Sequence, residues 1–142
     1  MEKQSRGHEI NLLKYKEHTE ANEYGGCEYQ LKGKKYIERT SKNTPKKIGQ
    51  FVTLWKRNRQ GVTIPFDMKD DFDFVMILCF KDKNEGRFLF PKNILHQKGV
   101  LSDKMNKKSG KRGFRVYPRW DLPQGQQALF TQNWQLKYFI EL

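Results

Sequence analysis

The sequence has few of the residues that build metal sites or covalent cross-links. Its 142 residues include two cysteines and three histidines. Cys27 and Cys79 form no C-x-x-C pair, so neither a structural zinc site nor a redox motif is indicated. We expect two buried, reduced thiols in a cytoplasmic protein.

Long apolar runs are also absent, and none approaches the length that crosses a bilayer. The first residues, Met1–Arg6, lead into no apolar segment of a secretory signal. We therefore expect a cytoplasmic protein with no membrane partner. The length fits a single domain over residues 1–142 that buries its own core, and we expect a monomer.

Acidic residues are scarce relative to basic ones. The chain has 16 Asp and Glu against 28 Lys and Arg, which gives a net charge of +12. Ten basic residues accompany one acid between Lys32 and Arg59, and seven accompany none between Lys104 and Arg119. Such segregation is typical of a face that binds a polyanion, nucleic acid first and an anionic membrane surface second. A merely soluble, lysine-rich surface is the alternative.

The N-terminal quarter predicts a helix and a hairpin. His8 to about Ala21 carries a modest apolar stripe at helical spacing. Cys27–Leu31 alternates apolar and polar residues, a turn follows, and Lys35–Thr40 returns as the second strand. In one register of this hairpin, Glu28 stands opposite Arg39 as an ordinary cross-strand ion pair.

A second helix is predicted to begin at Thr44, with Pro45 at its first position. Apolar side chains follow at the spacing of one helical face: Ile48, Phe51, Val52 and Trp55. The β-rich composition and Gly49 keep a strand as the alternative. Three lysines crowd the helix start: Lys42, Lys46 and Lys47. Cations there oppose the helix dipole unless an anion such as phosphate binds, or unless the lysines extend into solvent.

The rest of the chain predicts the following elements: a loop at 58–71, a buried strand at 72–80, a strand at 87–90, a short helix at 91–97, a basic loop at 102–113, a strand at 114–117 and a final helix at about 124–140. The basic loop is a candidate for mobility. The last helix stacks Phe130, Trp134 and Tyr138, which we expect in the core. The order predicts an α/β fold, of the α+β kind, with a mixed sheet flanked by helices.

Several runs resemble the MepB family and cover most of the chain from Glu23 to the C-terminal helix. They are Glu23–Cys27, Ile37–Arg57 (IERTSKNTPKKIGQFVTLWKR), Phe72–Phe74, Arg87–Lys92 and Gly110–Pro118. The resemblance implies a bacterial protein connected with a multidrug-efflux operon. It also implies the restriction-endonuclease-like fold of the PD-(D/E)xK group, and the predicted element order agrees with that fold.

Active members of that group hold a metal ion on the first hairpin. They carry Asp on its first strand and Asp or Glu, one residue, then Lys on its second. Here the corresponding positions hold other residues: Gly26, Ile37 and Arg39. Glu28 and Glu38 are out of step with the motif, and the literal D-x-K, Asp67–Lys69, falls in a loop. A hairpin with surplus cations would repel magnesium and attract phosphate.

The sequence therefore predicts a non-catalytic nucleic-acid-binding protein on a nuclease-like scaffold, with no cofactor and a connection with drug response. RNA and single-stranded DNA are the expected partners, with weaker binding to duplex DNA, because no recognition helix for a major groove stands out. Ten side chains are candidates for phosphate contact: Arg39, Lys42, Lys46, Lys47, Lys56, Arg57, Lys108, Lys111, Arg112 and Arg115.

Two alternatives stay open at this point. A metal-dependent nuclease would bind magnesium through carboxylates. Its candidates are Glu23, Glu28, Glu38 and Asp73. A regulatory protein would instead use the same basic face to bind an acidic protein partner.

Overall fold

The structure, a computed structural model, describes the backbone of residues 16–17 and all of residues 26–142. The described strands are β1 Lys16–Glu17, β2 Cys27–Leu31, β3 Lys34–Thr40, β4 Lys42–Asn43, β5 Gln50–Thr53, β6 Trp55–Arg57, β7 Thr63–Pro65, β8 Phe74–Lys81, β9 Asn84–Pro91, β10 Gly113–Val116 and β11 Phe139–Glu141. The described helices are α1 Lys92–Gln97 and α2 Gln126–Gln135, with 3-10 turns at Lys104–Asn106 and Leu136–Tyr138.

These strands form one large sheet and two small ones. The six-stranded sheet has the order β1–β2–β3–β8–β9–β11, and its β3–β8 pair is parallel. The small sheets are β10–β5–β4 and the β6–β7 hairpin. A parallel pair needs a crossover connection, and residues 41–73 supply it here. That crossover contains the strands β4, β5, β6 and β7. It therefore supplies the whole β6–β7 hairpin and two of the three strands of the other small sheet.

The β2–β3 hairpin confirms the strands predicted on either side of residue 33. Lys32 and Gly33 both have positive φ, 51° and 80°, and form a two-residue turn that matches the twist of a hairpin. This turn sets the register, with Glu28 opposite Ile37 and Cys27 opposite Glu38. The predicted pairing of Glu28 with Arg39 across the hairpin is therefore wrong by two residues.

The core lies on one face of the six-stranded sheet. Register places Ile37, Val75 and Phe90 side by side on this face, and all are buried. Phe88 packs against Phe90 at 5.2 Å and against Phe139 at 4.7 Å between ring centroids. From the other side, buried side chains come from β5 and the residue after it, from α1 and the segment after it, and from β10: Val52, Leu54, Leu95, Val100, Leu101, Phe114 and Val116.

The helix predicted from Thr44 is wrong, and the strand alternative is confirmed in its place. A turn occupies residues 45–49, and Gly49 has φ +93°, which an α-helix does not allow. From Gln50 to Leu54 burial alternates, with Phe51 outward and Val52 inward. Ile48 lies in the turn, Phe51 and Val52 in β5, and Trp55 in β6, so their i, i+3, i+4, i+7 spacing fits a helical face by coincidence.

The final helix is shorter than predicted. It ends at Gln135, a 3-10 turn follows, and the chain finishes as strand β11 on the edge of the large sheet. Trp134 and Tyr138 pack on Phe90, as expected of core residues. Phe130 does not, because it is 64% exposed beside Lys98, and its placement in the core was wrong.

The other elements follow the sequence more closely. The buried strand, the short helix and the strand after the basic loop are confirmed as β8, α1 and β10. The polar loop at 58–71 contains β7. Of the helix predicted over His8–Ala21, Lys16 and Glu17 form strand β1, and the rest lies outside the described residues.

A mixed α/β fold is therefore confirmed in its coarse form, with more strand than expected. The described part of the chain contains no helix of the length and apolar character needed to cross a membrane.

Candidate functional site

The carboxylates proposed for a nuclease site do not converge. Because Cys27 stands opposite Glu38 and Glu28 opposite Ile37, Glu28 and Glu38 project from opposite faces of the hairpin. Glu38 is 2% exposed and accepts a hydrogen bond from the Tyr29 hydroxyl at 3.0 Å. Glu23 lies outside the described residues.

Asp73 has a structural role beside the start of β3. Its carboxylate accepts a hydrogen bond from the Lys35 backbone N–H at 2.9 Å, and its own N–H donates to the Lys35 carbonyl. Desolvation by burial, and then the Asp73 charge, raise the pKa of Tyr36 above its ordinary value. Across residues 16–17 and 26–142, no group of three His, Cys, Asp or Glu side chains is placed to hold a metal ion.

Arg39, which the family resemblance aligns with the lysine of a nuclease, is buried rather than exposed. It is 1% exposed, and its Nη1 donates to the Glu38 carbonyl at 2.9 Å. Burial lowers the pKa of the guanidinium to about 10, against the opposing influence of Cys27 and Glu28. A phosphate cannot reach a side chain with this exposure, so the prediction that Arg39 contacts phosphate is wrong.

The D-x-K tripeptide, Asp67–Lys69, also has a structural role. The Asp67 carboxylate accepts hydrogen bonds from Ser102 Oγ at 2.7 Å, from the Lys69 N–H at 2.9 Å and from the Lys104 N–H at 3.2 Å. Desolvation by burial acts to raise the pKa of Asp67, but these hydrogen bonds outweigh it and hold the pKa below its ordinary value. Asp67 therefore fixes the start of the basic loop.

The basic loop forms one wall of an open groove of about 750 Å³, which we call the basic groove. Its two walls are the loop after β6 together with β7, and the segment from Ser102 to Gly110. The lining residues are Asn58, Arg59, Gln60, Ile64, Pro65, Ser102, Lys104, Lys107, Lys108, Ser109 and Gly110. This lining contains four cations and no carboxylate, so the groove is suited to an anion.

Hydrogen bonds hold the loop wall in place. Asp103 and Lys108 exchange two backbone bonds of 2.8 and 2.9 Å. The Asp103 carboxylate accepts from Asn106 Nδ2 at 2.8 Å and lies 2.7 Å from His96 Nε2 on α1. The hydrogen bonds from Asn106 and then from His96 lower the pKa of Asp103. Residues 102–108 thus form a closed turn, and mobility of the loop stays a prediction.

Gly110 is needed where the loop wall meets the core. A Cβ atom at this position would lie 2.5 Å from the Ser102 N and 2.5 Å from the Val100 O. Both are backbone atoms that cannot move aside as a flexible side chain would. A residue with a side chain would push the two segments apart and open the base of the groove.

The facing wall is ordered by Asn58. Its side-chain Oδ1 accepts from the backbone N–H groups of Gln60 at 2.9 Å and Val62 at 3.0 Å. Arg57 Nη1 donates to the Gly61 carbonyl at 2.7 Å and thereby closes the same turn. An Asn that bonds the backbone two residues on is a common way to fix a turn.

The cations of the basic groove are exposed, and residues 26–142 give them no carboxylate partner. Within residues 26–142, the basic side chains that pair with carboxylates include Lys35, Lys56, Lys81, His96 and Arg119. Within the described part of the chain, no carboxylate lies within ion-pair distance of Arg59, Lys104, Lys107 or Lys108. Asp67 interacts electrostatically with Lys104, but none of the four cations is held in a direct ion pair with a described carboxylate.

The predicted phosphate contacts near the groove divide into two kinds. Lys108 lines the groove, whereas Arg112 stands beside it and donates to Thr63 Oγ1 on β7 at 3.2 Å. Lys111 is exposed on the same segment. Lys56 is instead paired with Asp70 at 2.6 Å, and Arg57 is turned toward Gly61 and the Trp55 ring.

The remaining candidates gather on the outer face of the sheet β10–β5–β4. Lys42, Phe51 and Arg115 stand directly opposite one another on three adjacent strands, so they share that face. Lys46 and Lys47 are exposed on the turn that joins β4 to β5. We call Lys42, Phe51, Arg115 and the turn residues Lys46, Lys47 and Ile48 the sheet patch. Because this turn is not a helix start, the argument that a phosphate offsets a helix dipole there is wrong.

Three groove cations were absent from the sequence-based candidates: Arg59, Lys104 and Lys107. Lys104 and Lys107 belong to the acid-free run ending at Arg119, so the charge pattern contained the signal for them. Arg59 is 45 residues before Lys104 in the chain, and only the packing of the β6–β7 hairpin against the basic loop brings the two together.

Comparisons with known proteins agree with one another. A family model described as MepB-like matches residues 18–141. A solved structure described as the crystal structure of MepB has a TM-score of 0.88 and 32% sequence identity, covering 97% of this chain and 92% of that one. A search of curated proteins found no match.

Proposed function

The chain belongs to the MepB-like family, and we propose that it binds the phosphate backbone of nucleic acid in the basic groove without cleaving it. The observation that carries the proposal is the cluster of four exposed cations that have no acidic partner among the described residues. Clustered Lys and Arg on one face are the electrostatic footprint of a nucleic-acid-binding protein.

The walls of the groove support contacts with a flexible polyanion. Between the cations lie amide and hydroxyl groups from Asn58, Gln60 and Ser109, which can donate hydrogen bonds to phosphate oxygens. Ile64 and Pro65 add apolar surface. Both walls are fixed by internal hydrogen bonds, so little ordering entropy is lost when a ligand binds.

A preference for single strands or RNA over duplex DNA is part of this proposal. Reading a major groove usually requires a helix that carries basic side chains to the bases. The longest described helix, α2, contains no Lys or Arg, and α1 has six residues. A groove with cations on both walls instead suits a backbone that bends freely between them.

The absence of cleavage is supported by the hairpin. Glu28 and Glu38 face opposite sides, and Arg39 is buried where an active nuclease carries its lysine. We propose that the scaffold is restriction-endonuclease-like, as the family resemblance implies. The β2–β3 hairpin and the β8–β9 hairpin that pairs with it support this, although strands replace the helix expected between them. A bacterial cytoplasmic location and a connection with drug response stay predictions.

The proposal is tested by measuring affinity for a labelled 15-nucleotide single strand over a range of salt concentrations. Four groove contacts predict a slope of about −3 in log affinity against log salt. A duplex of the same sequence serves as the control and should bind more weakly. A flat salt response contradicts the proposal, and equal or tighter duplex binding contradicts the preference for single strands.

A further inference from the structure

Phe51 is a large apolar side chain on the outer face of a sheet, where a strand with one buried face usually carries a polar residue. It is 36% exposed, and Ile48 beside it is 45% exposed. Its strand neighbours on the inner face, Gln50 and Val52, are fully buried. Phe51 and Ile48 thus add a small apolar surface to a face that also carries cations.

The ring is held in place by the strand next to it. A Cβ atom at Gly113 would lie 2.6 Å from Phe51 Cζ and 3.1 Å from Cε2, so the tip of the ring lies close over this glycine. The absence of a side chain at residue 113 makes room for the ring on β10. Phe51 is therefore positioned by the sheet and still has a substantial part of its surface in solvent.

Cations stand on both sides of this ring. Lys42 is its partner on β4 and Arg115 its partner on β10. Arg115 Nη1 donates to Thr44 Oγ1 at 2.9 Å and to the Ile48 carbonyl at 3.3 Å, which anchors the turn carrying Lys46 and Lys47. An aromatic platform flanked by basic side chains provides one group for bases and another for phosphates.

The sheet patch lies a short distance along the chain from the basic groove. Gly110 lines the groove and Gly113 lies under Phe51, and three residues of chain span at most about 11 Å. Between these glycines, Arg112 is exposed and donates to Thr63. A nucleic-acid strand that left the groove toward β10 would pass the exposed Arg112 before it reached the aromatic ring.

We propose that the sheet patch stacks a base of a single-stranded nucleic acid on Phe51, while Lys42 and Arg115 contact the adjoining phosphates. This rests on the proposed function and narrows it, because stacking requires a base that is not paired within a duplex. The groove supplies phosphate binding of any polyanion, and Phe51 supplies the preference for unpaired bases. Any base has a π face, so no sequence preference is expected from this contact.

The test compares two probes of equal charge: a 15-nucleotide oligothymidylate and an abasic 15-mer with the same phosphates. Phe51→Ala should weaken oligothymidylate binding by roughly 5- to 100-fold, the range expected for loss of one stacked base. Its affinity for the abasic 15-mer should be unchanged. Phe130→Ala removes another exposed aromatic side chain and should alter neither affinity.

Two further variants separate stacking from packing. Phe51→Trp keeps an aromatic face and should bind oligothymidylate as tightly as the wild type or more tightly, whereas Phe51→Leu should weaken binding as Phe51→Ala does. Thermal unfolding of each variant shows whether it is folded. If Phe51→Ala is unfolded, the Trp and Leu variants decide the question.

The outcomes separate this inference from the proposed function. If the wild-type chain binds neither probe, both proposals fail. If it binds both probes and Phe51→Ala changes neither affinity, or changes both equally, stacking on Phe51 is refuted while phosphate binding in the groove stands.

Discussion

Charged side chains are used differently in the β2–β3 hairpin and in the basic groove. At the centre of the hairpin, Glu38 and Arg39 are buried and hydrogen-bonded to Tyr29 and to the backbone. In the groove, four cations are exposed, and the part of the chain that the structure describes offers them no carboxylate within ion-pair distance. The two regions therefore contribute to different properties, the hairpin to stability and the groove to binding.

The comparison shows why a charge count along the sequence is an incomplete guide to a binding face. Arg39 and Lys56 lie in the same basic run as Arg59, but Arg39 is buried and Lys56 is paired with Asp70. Of these three residues, only Arg59 lines the groove, where its guanidinium can contact an anion. Changes at the hairpin should therefore affect unfolding, and changes at the groove should affect affinity.

The largest effect from a single substitution near the groove is expected for Gly110→Ala. The new Cβ would collide with backbone atoms of Val100 and Ser102, which should cost about 1–3 kcal/mol of unfolding free energy. Affinity for single strands should fall by about tenfold as the walls separate. Gly125→Ala is the control, because a Cβ there meets nothing within 4 Å. Equal stability of both variants in urea unfolding would argue against a packed base of the groove.

Asp67→Asn should lower the free energy of unfolding by about 1–3 kcal/mol at pH 7, because it weakens the anchor of the loop wall. Because the folded-state pKa of Asp67 is lowered, its carboxylate stabilises the fold above the ordinary Asp pKa of about 4, and this contribution is lost as pH falls through the lowered value. The stability difference between wild type and variant should therefore be smaller at pH 3 than at pH 7. Urea unfolding at the two pH values measures this, and a difference that does not depend on pH would contradict it.

Sequence reasoning succeeded where local rules determine the structure. Alternation in β2, the turn at Gly33 and the apolar run of β8 each predicted a strand that is present. It failed from Thr44 onward, because the spacing of Ile48, Phe51, Val52 and Trp55 fits a helix and also fits two short strands joined at Leu54. Deciding between them requires the pairing of β5 with β10, whose paired residues are 60 to 66 positions apart in the chain.

The candidate site was predicted in part for the same reason. The acid-free run from Lys104 pointed to one wall of the groove, and the run ending at Arg59 held a residue of the other. Nothing local shows that these two runs face each other. The spacing placed Phe51 on the apolar face of a helix, and nothing in it indicated an exposed position on a sheet.

Glu38→Gln tests the hairpin side of the comparison with a smaller expected effect. The variant should lose about 1 kcal/mol of stability, because the bond from the Tyr29 hydroxyl then ends on a neutral acceptor. Its affinity for single strands should match that of the wild type. Incubation with magnesium or manganese should give no cleavage by either protein, and cleavage that Glu38→Gln abolishes would restore the nuclease interpretation.

Lys56→Met should have the smallest effect. Its Nζ lies 2.6 Å from Asp70 Oδ1 at a half-buried position, and such pairs contribute about 0–1 kcal/mol. Affinity for a single strand should change by less than about twofold, since this charge is already balanced. A larger loss of affinity in a binding titration would mean that Lys56 leaves Asp70 to contact phosphate.

The most direct measurement compares two triple charge reversals that change the net charge equally. One variant carries Arg59→Glu, Lys107→Glu and Lys108→Glu in the groove, and the other reverses three exposed lysines outside both the groove and the sheet patch: Lys34, Lys83 and Lys137. If the groove holds the phosphate backbone, the first variant should bind a 15-nucleotide single strand about 100-fold or more weakly, and the second should stay within a few-fold of the wild type. Equal losses in the two folded variants would show that overall charge, and not the groove, accounts for binding.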